Sequence, residues 1–162
     1  MKSILLTLVA IISINCCAQQ PDDEAMMQFF AGGWSCAGQF ASGKKIEADV
    51  SFTRELDGKW LLYRHKDRPP GPFQAVAMWG TDQPSGKMIS VMQDNFGNAR
   101  LFISEGWKDG SITFTSGALL DQKINEERFR YERQSGSAFK MTYERWVDDK
   151  WKMGDFLLCT RK

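Results

Sequence analysis

Short segments in which apolar and polar residues alternate fill most of the chain after residue 33, and they restrict the fold more than any other feature. In KKIEADVSFT, the residues Ile46, Ala48, Val50 and Phe52 alternate with charged and polar neighbours. A two-residue period of this kind predicts a strand with one buried face and one solvated face. Similar segments follow at near-regular spacing: KWLLYRHK, FQAVAMWGT, KMISVMQD, ARLFISEGW, SITFTSG, EERFRYERQ, AFKMTYERWV and WKMGDFLLCTR.

Turn-forming residues separate these segments. Asp109-Gly110 and Asp148-Asp149 are typical of two-residue hairpins, and RPPGPF predicts a stiff connection near the barrel mouth that either gates the interior or only turns the chain. Counting WSCAGQF, we expect about ten antiparallel strands without a long crossover. The predicted fold is all-β, a closed up-and-down barrel, because closure removes exposed strand edges. PDDEAMMQFF predicts a short N-terminal helix that ends at Gly32-Gly33.

The first 18 residues have the pattern of a targeting segment. Lys2 precedes an apolar run from Ile4 to Ile14, which is too short for a membrane-spanning helix. Cleavage after Ala18 would leave residues 19–162 as a single domain in the periplasm or outside the cell. The alternative is a membrane-anchored lipoprotein acylated at Cys16 or Cys17, and either export route leads to an oxidising compartment.

The charge balance excludes partners that need a strong basic field. The 162-residue chain has a net charge of +1, and Lys2 is the only charged residue in the leader. We therefore expect no nucleic-acid partner. No second apolar segment is long enough to cross a membrane.

Cys36 and Cys159 are the only cysteines outside the leader. They fall on the first and last predicted strands, which are neighbours in a closed meander, so a disulfide is the favoured role. Two separate buried thiols remain an alternative. A catalytic thiol lacks a histidine placed beside it, and a zinc site lacks paired ligand spacing, so we expect no metal.

The first predicted strand begins Gly32-x-Trp34-x-Cys36-x-Gly38. This resembles the GxWxGxG opening of nitrobindin-like proteins and the G-x-W start of lipocalins and other calycin barrels. Over residues 24–162 the chain is similar to a family of exported, calycin-like ten-stranded barrels of unknown function. Three further motifs carry the resemblance: Asp57-Gly58-Lys59-Trp60-Leu61, Asp149-Lys150-Trp151-Lys152 and the terminal Arg161-Lys162.

The resemblance to nitrobindins implies haem bound through a late histidine, and this chain departs from that pattern. His65 is the only histidine, and nothing but Cys159 stands at the corresponding end. We therefore expect no haem and no other cofactor.

A barrel of this size either fills its interior with side chains or holds one small ligand. Residue parity predicts one inward face, made of Ile46, Ala48, Val50, Phe52, Leu101, Ile103, Phe129, Tyr131, Phe139, Met141 and Tyr143. The candidate ligand-binding residues are Arg54, Tyr63, Tyr143, Arg145 and Trp79. The two arginines either orient a ligand carboxylate or lie solvated beyond the rim, and a lone His65 near a strand end is expected to be exposed.

Three functions stay open at this point. The first is a barrel that binds a small apolar or amphiphilic ligand without catalysis. The second is an enzyme that uses polar interior residues such as Arg54, His65 or Arg145. The third is an interaction module with a filled core. A cavity lined by methionine and aromatic residues with a buried arginine favours the first, and a buried histidine–carboxylate cluster in an open pocket favours the second.

Overall fold

The computed structural model describes residues 21–118 and 125–162, so the predicted leader and both lipidation candidates lie outside the described residues. In these described ranges, one helix precedes ten strands: α1 (Pro21–Phe30), β1 (Gly32–Phe40), β2 (Lys45–Glu55), β3 (Trp60–Asp67), β4 (Gln74–Asp82), β5 (Lys87–Asp94), β6 (Ala99–Ser104), β7 (Ser111–Gly117), β8 (Glu127–Ser135), β9 (Ala138–Val147) and β10 (Lys150–Arg161). Each strand pairs antiparallel with its chain neighbours, and β1 also pairs with β10, which closes the barrel. The predicted fold class is confirmed.

Alternation decides which side chains face inward, and the predicted face is correct in most strands. Every apolar residue of the β2 pattern is buried. The prediction is wrong for Leu101 and Ile103 on β6, where Phe102 is buried and Ile103 is 39% exposed. Both parities of that short strand carry apolar residues, and the interior takes the larger aromatic ring together with Arg100.

Both predicted two-residue hairpins are present. Asp109 and Gly110 have φ angles of 51° and 76°, and Asp148 and Asp149 have φ angles of 53° and 57°. Two consecutive residues with positive φ match the right-handed twist of the strands they join. Aspartate and glycine tolerate this conformation better than most residues.

The helix α1 closes one end of the barrel. Met26, Met27 and Phe30 are fully buried, and the Phe30 ring lies 5.0 Å from that of Phe52 and 5.2 Å from that of Phe139. The Trp34 indole N–H donates to the Phe30 carbonyl over 2.8 Å and so ties β1 to the end of the helix. This end of the barrel is therefore a packed aromatic core. Within the part of the chain that the structure describes, no helix is long and apolar enough to cross a membrane.

A disulfide joins the two strands where the barrel closes. Cys36 and Cys159 are directly opposite on β1 and β10, with Cα atoms 4.0 Å apart, and both are buried. The predicted pairing is confirmed, and the alternative of two separate thiols is wrong. Two residues further along β1, a Cβ atom on Gly38 would lie 1.8 Å from the Phe156 carbonyl oxygen, so β10 approaches this position too closely for any side chain.

Candidate functional site: a cavity at the open end

A cavity of about 390 Å³ lies at the end of the barrel opposite to α1. The loops at this end include RPPGPF, whose Pro72 and Phe73 line the cavity as the composition suggested. The apolar wall comes from six strands and loops and includes Ile46, Phe73, Met92, Phe129, Met141 and Leu157. The interior is therefore filled at the helix end and hollow at the other.

A chain of hydrogen bonds runs along β3 on the cavity wall. Tyr63, His65 and Asp67 have the same parity and are all buried. The Tyr63 hydroxyl lies 2.9 Å from Nδ1 of His65, and Nε2 of His65 lies 2.8 Å from Oδ1 of Asp67. His65 is only 6% exposed, so the expectation of an exposed histidine is wrong; both of its ring nitrogens have partners inside the barrel.

The donor and acceptor roles in this chain depend on the tautomer of His65, and a neutral ring beside an ionised Asp67 gives one assignment. An ionised carboxylate only accepts hydrogen bonds, so Nε2 of His65 donates to Asp67. In the neutral imidazole, Nδ1 then accepts the hydroxyl proton of Tyr63. Burial raises the pKa of the Tyr63 hydroxyl well above its usual range, although a hydrogen bond with Tyr131 lowers it. The phenol therefore stays protonated and donates.

A second polar network crosses the cavity wall between β5, β6, β8 and β9. Arg100 lies 3.1 Å from Asp94 and 3.2 Å from Glu127, whose side chains are only 2% and 9% exposed. The Tyr143 hydroxyl donates to Glu127 over 2.6 Å. Burial and this hydrogen bond raise the pKa of Tyr143, so it also stays protonated. Arg100 is thus committed to two buried carboxylates.

Asp155 on β10 lines the cavity and differs from the other acids there. Its carboxylate makes no hydrogen bond or ion pair with any residue in the described ranges. Burial raises its pKa to about 6, while the electrostatic influence of His65 lowers the pKa and that of Asp67 raises it. The register of β10 against β9 shifts between Met153 and Asp155.

Gly154 occupies this bulge because a side chain would not fit there. A Cβ atom at residue 154 would lie 2.8 Å from the Tyr143 ring. Because residue 154 has no side chain, the Tyr143 ring can lie against the bulge, and the carboxyl group of Asp155 lies on the cavity wall.

The structure brings two of the five predicted ligand-binding residues to the cavity, Tyr63 and Tyr143. Trp79 lies in the buried core, where its ring stacks on that of Tyr63 with centroids 5.7 Å apart. Arg54 lies at the opposite end, where both of its terminal nitrogens bond Glu24 of α1 over 2.7 Å. Arg145 is exposed near the end of β9.

Sequence reasoning missed four charged cavity residues: Asp67, Asp94, Arg100 and Asp155. Each shares parity with buried neighbours on its own strand, namely Tyr63 and His65 for Asp67, Met92 for Asp94, Phe102 for Arg100, and Leu157 and Cys159 for Asp155. Extending the apolar parity of each strand through its polar residues would have found them.

The fold and the cavity define a closed ten-stranded antiparallel barrel with one end occluded by a helix and a mixed apolar and acidic pocket at the other. Within residues 21–118 and 125–162, no three His, Cys, Asp or Glu side chains are grouped to hold a metal ion.

No family model and no curated protein matches the chain. Among solved structures, it is similar to EF1p2_mFAP2b bound to DFHBI, with 12% identity, a TM-score of 0.40 and coverage of 86% of this chain and 99% of that one. It is also similar to a redesigned β-barrel, b11L5F_LGL, with 13% identity, a TM-score of 0.38 and coverage of 90% and 99%. Similarities this low say nothing about function, and the barrel assignment follows from the strand pairing of this chain. Membership of the exported calycin-like family stays a prediction.

Proposed function

We propose that this protein binds a small apolar or amphiphilic molecule in the open-end cavity and does so without catalysing a reaction. The observation that carries the proposal is the contrast between the two halves of the interior. The helix end is packed with aromatic rings, whereas the other end leaves about 390 Å³ unfilled. This volume lies within the range of small-molecule sites, which are mostly apolar with a few well-placed polar groups.

The wall chemistry supports this choice over a filled interaction module. Met92 and Met141 provide adaptable apolar surface. Phe129 and Tyr143 add aromatic faces, with centroids 5.0 Å apart. Polar groups that are already paired, such as Arg100, contribute rigidity rather than a reactive centre.

We also propose that the protein works in the periplasm or outside the cell after cleavage of residues 1–18. The buried disulfide is consistent with an oxidising compartment. Mass spectrometry of the exported protein tests this directly, because the mass reports the first residue and any acyl chain on Cys16 or Cys17.

Binding of the neutral fluorophore N-phenyl-1-naphthylamine tests the cavity. We expect a saturable fluorescence increase in the wild type. Ala75→Phe, which adds a ring to a buried cavity-lining position, should weaken binding about tenfold or more. The matched control is Ala37→Phe on the exposed face of β1, which should leave the affinity unchanged. Equal affinities for all three proteins would place the probe outside the barrel and contradict the proposal.

Acid–base chemistry on the bound molecule is a second candidate, because Tyr63, His65 and Asp67 form a continuous hydrogen-bonded chain on the cavity wall. The two functions differ in the fate of the ligand. If the molecule recovered by native mass spectrometry persists unchanged during incubation with fresh protein, the binding function holds. If it is converted by the wild type and not by His65→Gln, the protein is an enzyme.

A further inference from the structure

We infer that the cavity selects a small apolar molecule with a cationic amine, and that the Asp155 carboxylate is the anchor for that amine. The inference rests on the proposed binding function and names its ligand class. It differs from the alternative that the sequence left open, in which an arginine orients a ligand carboxylate.

The distribution of charge around the cavity carries the inference. Asp67, Asp94 and Asp155 line it, and the buried Glu127 lies directly behind Arg100. The basic residues on the described part of the wall are Arg100 and His65. Acidic groups therefore outnumber basic ones even with a protonated histidine.

The ion pairs and hydrogen bonds of the two basic residues increase the excess of negative charge that a ligand meets in the cavity. Arg100 is held by Asp94 and Glu127, and His65 donates to Asp67. The Nε–H group of Arg100 has no hydrogen-bond partner in the described ranges, but it is inaccessible to solvent. A ligand carboxylate entering the cavity would find both described cations beside carboxylates that they already bind, and it would add to the negative charge. Placing such a charge in a partly desolvated site without a partner is costly.

Asp155 offers the opposite situation. Its oxygens line the cavity and have no partner among the described residues, so a ligand N–H group can approach them without displacing a protein contact. An ammonium group beside this carboxylate would form a charge-assisted hydrogen bond in a partly buried site, where such bonds are strongest. The aromatic faces of Phe129 and Tyr143 add favourable surfaces for a cation.

The apolar part of the cavity wall determines the chemistry of the ligand body that carries the amine. The rest of the cavity wall is largely apolar, and its apolar side chains offer no hydrogen bond to a second polar group. These side chains include Met92, Met141, Leu157 and Ile46. A molecule with one amine and a compact apolar body matches both parts of the wall.

Three probes with the same apolar tail test the inference, namely octylammonium, octanol and octanoate. Each is titrated into the protein of residues 19–162 at pH 7.5, and binding is measured by calorimetry. We expect octylammonium to bind about tenfold or more tightly than octanol, with octanoate weakest. Asp155→Asn should abolish the preference of octylammonium over octanol. The control Asp109→Asn, in a hairpin at the far end of the barrel, should preserve it.

The pH dependence provides an independent readout. Octylammonium binding needs an ionised Asp155, so its affinity should fall about tenfold between pH 7.5 and 5.0, while octanol binding stays constant. Among the described residues, the groups that face Asp155 are Tyr63, His65 and Asp67 on β3, Tyr131 on β8 and Tyr143 on β9. In Asp155→Asn the affinity for octylammonium should no longer fall between pH 7.5 and 5.0, because the carboxylate that binds the amine is gone.

The possible outcomes separate the inference from the proposed function. If none of the three probes binds, the binding function itself fails. If octanol or octanoate binds as well as octylammonium, the cavity is a binding site and the amine selectivity is wrong. If the preference survives in Asp155→Asn, another group is the anchor and the assignment of Asp155 is wrong.

Discussion

Replacing Asp155 with asparagine should make the barrel more stable at neutral pH, although it removes a charged side chain from a partly buried position. The carboxylate loses solvent on folding and gains no hydrogen bond or ion pair from the described residues in return. Asparagine is nearly isosteric and has no charge to desolvate. Most substitutions inside a barrel destabilise it, so a gain in stability is a demanding test.

The size of the effect follows from the rise in the pKa of Asp155 from its ordinary value of 3.8 to about 6. Between these values the folded protein binds more protons than the unfolded chain, so the free energy of unfolding falls as pH rises. The contribution of Asp155 to the free energy of unfolding is fully present below about pH 3.8, where the carboxyl is protonated, and is lost above about pH 6. The total amounts to about 3 kcal/mol, of which about 2 kcal/mol falls between pH 4.5 and 7.5.

Urea denaturation of the wild type and Asp155→Asn at pH 4.5, 5.5, 6.5 and 7.5 measures this quantity. The difference in unfolding free energy between the two proteins should change by about 2 kcal/mol over the series, in favour of the variant at high pH. The change with pH matters more than its absolute value, because an amide and a protonated carboxyl do not pack identically. Asp109→Asn is the matched control, because it changes an exposed aspartate in a hairpin far from the cavity. A change below about 0.5 kcal/mol in Asp155→Asn would refute the desolvation argument.

Three further outcomes are expected for the scaffold. Cys36→Ala combined with Cys159→Ala should lower the free energy of unfolding by up to about 5 kcal/mol, since the bond spans 123 residues, and a loss below about 1 kcal/mol in urea denaturation would contradict this. Gly38→Ala should cost about 1–3 kcal/mol in the same assay, because its methyl group meets the β10 backbone; an unchanged midpoint would show that the strands separate easily. Arg54→Met breaks a partly exposed ion pair with Glu24, so it should lower the free energy of unfolding by less than about 1 kcal/mol. The affinity for octylammonium should stay unchanged, and a tenfold loss measured by calorimetry would place Arg54 in the site.

Much of the scaffold was predictable because its determinants are local. Aspartate and glycine pairs mark the hairpins, and alternation marks the buried faces. The disulfide required one further step: closure of a meander brings the first and last strands together, and the two cysteines fall on them. Prediction was wrong at Leu101 and Ile103, because the local pattern favours their face of β6, which has three apolar residues. The buried face has only Phe102 between Arg100 and Ser104.

The candidate site was much less predictable. His65 looked like a lone histidine near a strand end, and its two partners become visible only when β3 is known to keep its inward parity through Asp67. Arg54 and Arg145 share parity with apolar residues, yet neither lines the cavity. Each lies on a part of its strand that extends past the cavity wall. Parity gives the direction of a side chain but not its depth along the barrel, and depth decides whether it meets solvent or a cavity.

By itself, the sequence determined the strand periodicity, the turns, the initiating helix and the cysteine pair, because each depends on neighbouring residues or on chain order. Only the tertiary structure decided that α1 fills one half of the interior and leaves the other hollow. It also decided that Arg100 is paired with Asp94 and Glu127, while the Asp155 carboxylate has no partner within residues 21–118 and 125–162. Burial and pairing depend on what surrounds a side chain in three dimensions, and residues distant along the chain supply those surroundings.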